Sequence, residues 1–249
     1  MTNKNDKLVK REVRQKKHAF PPVLRREEAT REVHKNILIV GEGVNTEPSY
    51  FEQFKEPGVR VVAIGLGRGT RKLVMDVEKH IKEEEKKLNG KTFDEVWVVF
   101  DKDSFPDFNQ AIAEAKKKRY HVAYSNQAIE FWFIIHFMDH QGGAMDRKEY
   151  VKKLNSILAK LDPKNPIKYD PDSKTISEDF FNVLYKNIQI AYDRADRIYQ
   201  YKLDQGKPTE ESVTTIHKLI KSIKGITATS SKVAQTKKID SMRKAGLIC

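Results

Sequence analysis

Short runs of hydrophobic residues alternate with amphipathic stretches through the first half of the chain, and that alternation predicts a parallel sheet. Asn36-Ile37-Leu38-Ile39-Val40 and Glu95-Val96-Trp97-Val98-Val99-Phe100 are nearly continuous apolar runs, as expected of strands buried on both faces. Further strands are expected at Val59 to Ile64 and Tyr120 to Tyr124. Between them, a helix opens near Pro48, where Thr46 or Glu47 can cap. Thr70 to Leu88 places Leu73, Val77 and Ile81 on one face, and Asn109 to Arg119 ends in a lysine-rich turn that complements the helix dipole. Ala128 to Met138 is apolar on nearly every side, which predicts a buried helix ended by Gly142-Gly143. This order argues for an α/β fold with right-handed crossovers and helices on both faces of the sheet.

Beyond Asp146 the texture changes. Amphipathic patterns at Asp146 to Leu161, Ser177 to Leu203 and Glu210 to Ile223 contain no convincing strand, and Pro163, Pro166 and Pro171 separate the first two. A helical appendage follows. Before the first strand there is little periodicity and the pair Pro21-Pro22 blocks a continuous helix. The expected organisation is a basic arm over 1–34, a sheet-based domain over 35–141, a helical region over 142–225 and a basic tail over 226–249.

The chain has 249 residues, of which 39% are hydrophobic, enough for a real core. Nothing in it approaches a membrane span, and the lysine-rich start lacks the apolar segment of a secretory signal, so a cytoplasmic location and no membrane partner are expected. The single cysteine, Cys249, excludes a disulfide framework or a cysteine zinc site within one chain, so any metal is held by oxygen. The net charge of +12 lies wholly at the two ends. Residues 1–35 carry eleven Lys/Arg against five Asp/Glu and residues 221–249 carry seven against one, while the segment between has equal numbers of each sign. Basic ends on a neutral body suit a polyphosphate partner, although solvated disordered runs have the same composition.

Acidic residues directly follow both strong strands: Gly41-Glu42-Gly43 with Glu47, and Asp101-Lys102-Asp103. Carboxyl ends of parallel strands line the ligand crevice of open α/β sheets. Asp101, Asp103 and Glu42 brought together repel one another unless a cation neutralises them, and an oxygen-only set favours Mg²⁺ or Mn²⁺. Blander roles exist for each. The aspartates can cap a turn, Glu47 can favour a helix N-terminus, and Glu42 can be a ligand or a general acid/base. Glu130 sits among Ile129, Phe131, Trp132 and Phe133, where an unpartnered carboxylate is costly, so a metal or base role is expected. His136 better fits a structural hydrogen bond. Arg68, in Gly65-Leu66-Gly67-Arg68-Gly69-Thr70, and Lys102 rank first among cations able to reach a phosphate, with Ser125 and Asn126 as secondary candidates. Tyr192, Tyr199 and Tyr201 suit core packing or docking.

These motifs resemble the RloB-like family, related to the Toprim fold of topoisomerases, primases and OLD-family nucleases. The resemblance rests on Ile39-Val40-Gly41-Glu42-Gly43 with Thr46-Glu47 and Tyr50-Phe51, on Val96 to Asp103, and on Tyr124-Ser125-Asn126 with Glu130-Phe131-Trp132 and His136-Phe137. Pro208-Thr209 also looks like that family. It implies a Toprim-like parallel sheet in which Glu42, Asp101 and Asp103 bind Mg²⁺, with Glu47 and Glu130 as further carboxylates. It also implies a nuclease acting in anti-phage defence beside an ABC- or AAA-type ATPase, with RNA or DNA as substrate and tRNA by analogy with the PARIS effector. A non-catalytic nucleic-acid or ATPase-binding subunit with a structural ion is a second class. A phosphatase with an aspartyl nucleophile is a third, disfavoured because Asp103 is followed by Ser104 rather than Thr or Val. Assembly of several copies stays open.

The charge distribution generates one prediction. Deleting residues 1–34 and 226–249 is expected to weaken nucleic-acid binding and flatten its dependence on salt, because fewer counterions are released, while single-turnover cleavage at saturation survives. Binding across a salt series, with cleavage alongside, checks both. An unchanged salt slope removes the ends from the interface.

Overall fold

The computed structural model describes residues 35–102, 107–140, 145–210 and 212–225, all within one compact unit. The expected arm and tail, together with Asp103, lie outside the described residues. The expected α/β architecture is present: a four-stranded, all-parallel sheet in the order β2-β1-β3-β4. Its strands are β1 Lys35–Gly41, β2 Val59–Gly65, β3 Glu95–Lys102 and β4 His121–Asn126. Eight helices accompany it among the described residues: α1 Thr46–Phe51, α2 Thr70–Lys87, α3 Phe108–Lys117, α4 Glu130–Ile134, α5 Arg147–Leu161, α6 Glu178–Lys186, α7 Ile188–Asp204 and α8 Ile216–Ile223.

Four consecutive β1 residues, Ile37 to Val40, are at most 1% exposed, so both faces of the sheet are covered, as their uninterrupted hydrophobicity requires. Leu73, Val74 and Val77 turn α2 inwards, and α2 and α3 pack together beside β1, β3 and β4. A second set of helices meets through an aromatic cluster. Tyr50 of α1 makes edge contacts with Phe54, Phe133 and Phe181, and Phe133 contacts Tyr169 and Phe180. Edge-to-face geometry sets negative ring faces against positive edges. The later helices share one hydrophobic core with the sheet. Among the described residues no helix is long and apolar enough to cross a membrane.

Three helices differ from the hydrophobic pattern. Residues 128–136 are buried as expected, but the α-helix spans only Glu130–Ile134 and then tightens, with Phe137 N donating to Ile134 O at 2.9 Å. The stretch from Ser177 to Leu203 divides at Asn187, which ends α6 and begins α7 while its side chain donates to Val183 O at 3.0 Å. Asparagine competes for backbone partners and therefore breaks helices. The stretch from Glu210 is not helical until Ile216. Ser212 has φ 62°, and the next residues run antiparallel to the end of β4. Asn126 N donates to Val213 O at 3.0 Å and Thr215 N to Tyr124 O at 2.8 Å, which covers an otherwise unpaired sheet edge.

Trp132 Nε1 donates to Tyr50 Oη at 2.9 Å, and both side chains are fully buried. Tyr50→Phe leaves that N–H unsatisfied and is expected to destabilise the protein by about 1–3 kcal/mol. Thermal denaturation checks this, and an unchanged Tm rejects the bond as a structural tie.

Candidate functional site

The strand order makes β1 and β3 central neighbours whose following segments leave in opposite directions, towards β2 and towards β4. A crevice opens between their carboxyl ends. Glu42 follows β1 and Asp101 is the penultimate residue of β3, so both line this crevice. The Glu42 backbone is clamped from two sides: its N–H donates to Val99 O and its carbonyl accepts from Gly67 N, each at 2.9 Å. Gly65 lies under this loop, where an added Cβ would stand 2.1 Å from Gly43 O. The glycine-rich segment after β2 therefore braces the acidic loop. Arg68 within it pairs with Asp76 at 3.2 Å.

Glu47 occupies the first turn of α1, where negative charge is favourable, and is 3% exposed. Its Oε1 accepts from Gly43 N at 3.3 Å. A Cβ on Gly43 would fall 2.0 Å from Glu47 Oε2, so that glycine leaves the space the carboxylate fills. Glu42, Gly43, Glu47, Asp101 and Arg147 line a pocket of about 290 Å³, with Pro171 on its wall. A groove of about 400 Å³ shares Val44 and Asn45 with it and carries Lys55 and Lys174. That groove is larger but has only Glu52 as a carboxylate, so the expected acidic residues gather in the smaller pocket.

The partner that a buried Glu130 demands is a pair of residues that sequence reasoning missed. Glu130 is wholly buried, and its Oε1 accepts from Arg147 Nε at 2.9 Å and from Tyr169 Oη at 2.8 Å. Oε2 has no hydrogen-bond partner among the described residues. Arg147 is placed at the start of α5 by a capping box, in which Asp146 accepts from Glu149 N and Glu149 accepts from Asp146 N. Tyr169 is fixed by Asn155, whose amide bonds both its N–H and its C=O at 2.8 Å.

These charges perturb one another. Desolvation, then the charges of Glu47, Glu130 and Glu42, pushes the Asp101 carboxyl well above the usual range, with Arg147 opposing. Asp101 keeps some accessible surface at the pocket but is otherwise enclosed by protein. Burial also raises Glu47; its own amide and that of Gly43 oppose this, Glu130 adds to it and Arg147 opposes it. Burial disfavours the charge on Arg147, but Glu130 and then Asp101 outweigh it and hold the guanidinium charged. The Tyr169 hydroxyl is pushed up by burial and by Glu130, and so stays a donor.

Other expected contacts have different roles. Ser125 and Asn126 were candidates for phosphate contact, but they are at most 1% exposed beneath the returning segment. Asn126 Oδ1 accepts from Val213 N at 3.1 Å, so this side chain closes the sheet edge instead. Lys102 donates to Thr209 O and stands 5.7 Å from the Phe108 ring centroid, while Tyr124 Oη bonds Pro208 O at 2.7 Å. The Pro208-Thr209 turn is thus latched to the ends of β3 and β4. His136 makes the structural bond expected of it, Nδ1 donating to Trp132 O at 2.8 Å, and burial pushes its pKa down to about 3.

In chemistry, the pocket residues fit a hard divalent cation. The donors are all oxygen, negative charge is in excess, and burial, with neighbouring carboxylates adding to it, makes Asp101 and Glu47 resist ionisation. In placement, no group of three or more His, Cys, Asp or Glu among the described residues stands ready to hold an ion.

The raised Asp101 carboxyl sets the sign of a pH effect. Protonation favours the folded state, so the contribution is fully present below the ordinary value of 3.8 and is lost as pH rises through the raised folded value. In divalent-free buffer, Asp101→Asn is therefore expected to be more stable than the native protein near neutral pH, with the gap closing as pH falls towards 3.8. Denaturation midpoints across that range check it. A variant less stable at every pH removes the repulsion account.

No curated protein sequence matches this chain. The model of the RloB-like protein family matches residues 37–223, a span that begins in β1, ends with α8 and contains every residue of the acidic pocket described above. The chain belongs to the RloB-like family.

Proposed function

We propose that this protein is a nuclease that hydrolyses phosphodiesters with Mg²⁺ or Mn²⁺, acting as an anti-phage effector beside an ATPase partner. The observation that carries the reading is the cluster of mutually repelling carboxylates, Glu42, Glu47 and Asp101, in a pocket at the switch point of a parallel sheet. Such a cluster is stable only when a cation or protons offset it. Asp103 follows the end of β3 in sequence and joins the proposed ligand set with Glu42, Asp101 and Glu47. A bound divalent cation would supply Lewis-acid polarisation of a phosphoryl oxygen and an activated water. The chain itself clamps the Glu42 backbone, shapes space for Glu47 through Gly43 and keeps Arg147 charged at the rim. The groove with Lys55 and Lys174 adds positive charge next to the pocket, as a strand extending past the reacting phosphate requires. RNA and DNA both satisfy this chemistry, and tRNA rests on the family resemblance alone.

The second reading is a non-catalytic nucleic-acid- or ATPase-binding subunit in which the same carboxylates hold a structural ion. The two readings separate by experiment. Glu42→Gln and Asp101→Ala are each expected to lower Mn²⁺-dependent cleavage by at least the order of 10²–10³-fold typical of losing one preorganised electrostatic group, with the fold retained. Cleavage by purified native protein, alone and with its ATPase, is measured against both variants. Equal activity in all three, in preparations free of contaminating nuclease, removes Glu42 and Asp101 from the site, and folded native protein inert in every condition leaves the binding role.

A further inference from the structure

Arg147 is in an unusual place for an arginine. It opens α5, where the helix dipole disfavours a cation, so its position is not explained by helix stability. Its Nε is committed to the fully buried Glu130, yet half of the side chain stays exposed, and that part lines the acidic pocket with Glu42, Glu47 and Asp101. Both terminal amino groups make no hydrogen bond to any described residue. Two amino groups of a planar, permanently charged group are thus left without a partner among the described residues, in an orientation set by Glu130, which Tyr169 holds in turn.

We propose that Arg147 is the phosphate-binding residue of the pocket, its two terminal amino groups donating to a non-bridging oxygen of the phosphodiester. The assignment rests on the nuclease reading for its ligand. It deepens that reading by dividing labour: the carboxylates hold the cation, and one guanidinium grips the anion. A guanidinium suits this better than an ammonium, because one edge can bond Glu130 while the far end bonds phosphate. Glu130 and Tyr169 are then positioning residues. They fix the direction of the guanidinium without touching substrate, and the buried carboxylate and phenol exclude water from its rear.

The test uses the full chain, a short labelled single-stranded RNA and the DNA of the same sequence. Binding is measured in Ca²⁺, and single-turnover cleavage in Mn²⁺. Arg147→Gln is expected to weaken binding of the preferred oligonucleotide by at least the roughly ten- to hundredfold that one charge-assisted hydrogen bond is worth. Cleavage should fall at least as far, while Mn²⁺ affinity by calorimetry stays equal or tightens because a competing positive charge is gone. Arg147→Lys separates this role from a purely structural one. An ammonium can pair with Glu130 and keep the fold, but its three donors all radiate from the one nitrogen held at Glu130 and it has no separate amino groups to extend to a phosphate, so weakened binding in a folded protein is expected. Native-like oligonucleotide binding in Arg147→Lys, or in folded Arg147→Gln, overturns the assignment. Loss of Mn²⁺ affinity in Arg147→Gln in parallel with oligonucleotide binding overturns it too, because the residue would then serve the cation site. Native protein that binds without cleaving, both alone and with its ATPase, refutes the nuclease reading and leaves Arg147 decided by the binding arm, whereas native protein that binds neither oligonucleotide refutes both.

Discussion

Everything around the carboxyl ends of β1 and β3 answers to one constraint, an excess of negative charge held away from water. Glu47 and Glu130 are buried, Asp101 is enclosed except at the pocket, and Glu42 shares that pocket, yet among the described residues the one cation lining it is Arg147. Carboxylates in such surroundings either take up protons or acquire a counter-charge. The raised proton affinities of Asp101 and Glu47 express the first outcome, and the oxygen-only donor set is suited to the second. A fold selected for stability alone would replace this cluster with packed hydrophobic side chains, since a buried ionic group is seldom a net gain.

The charged groups come from widely separated parts of the chain, and packing brings them together. Glu47 belongs to α1, Glu130 to α4 and Arg147 to α5, while Tyr169 lies in the connection before α6. The aromatic cluster of Tyr50, Phe133, Tyr169 and Phe180 ties these segments to one another. A helical region that reads in the sequence as an appendage therefore supplies the pocket with its guanidinium and, behind it, the phenol that bonds Glu130. Edge-to-face aromatic packing tolerates little sliding, which suits elements that must hold several like charges at fixed separations.

The sheet was legible because uninterrupted β-branched runs have few other fates, and Glu42 and Asp101 were legible because they directly follow two of those runs. The demand of Glu130 for a partner was legible too, from the apolar residues on either side of it. The identity of that partner was not. Arg147 is 17 residues away and Tyr169 is 39, and no local period links positions so separated. A signal did exist: Asp146 and Glu149 form a capping box, which puts Arg147 in the first helical turn, where an arginine calls for a nearby anion. Ser125 and Asn126 misled for a related reason. Small polar residues at a strand end suit a ligand crevice or a turn equally well, and only the return of residues 212–215 from late in the chain shows that they are covered. Asn187 and Ser212 broke helical patterns that hydrophobic spacing alone continued.

A structural ion and a catalytic one place different demands on a carboxylate cluster. A structural site closes its shell with protein donors, whereas a catalytic site leaves room beside the ion for water and substrate. Here the cluster borders a pocket of about 290 Å³ rather than a sealed cavity, and a half-exposed guanidinium borders it as well. Closing the shell with protein would require neither. A cation held by Glu42, Glu47 and Asp101 would share its pocket with the guanidinium of Arg147. On the proposed reading, the ligand that would satisfy both is an anion with several oxygens, able to meet a metal and a guanidinium at once, and a phosphodiester has that form.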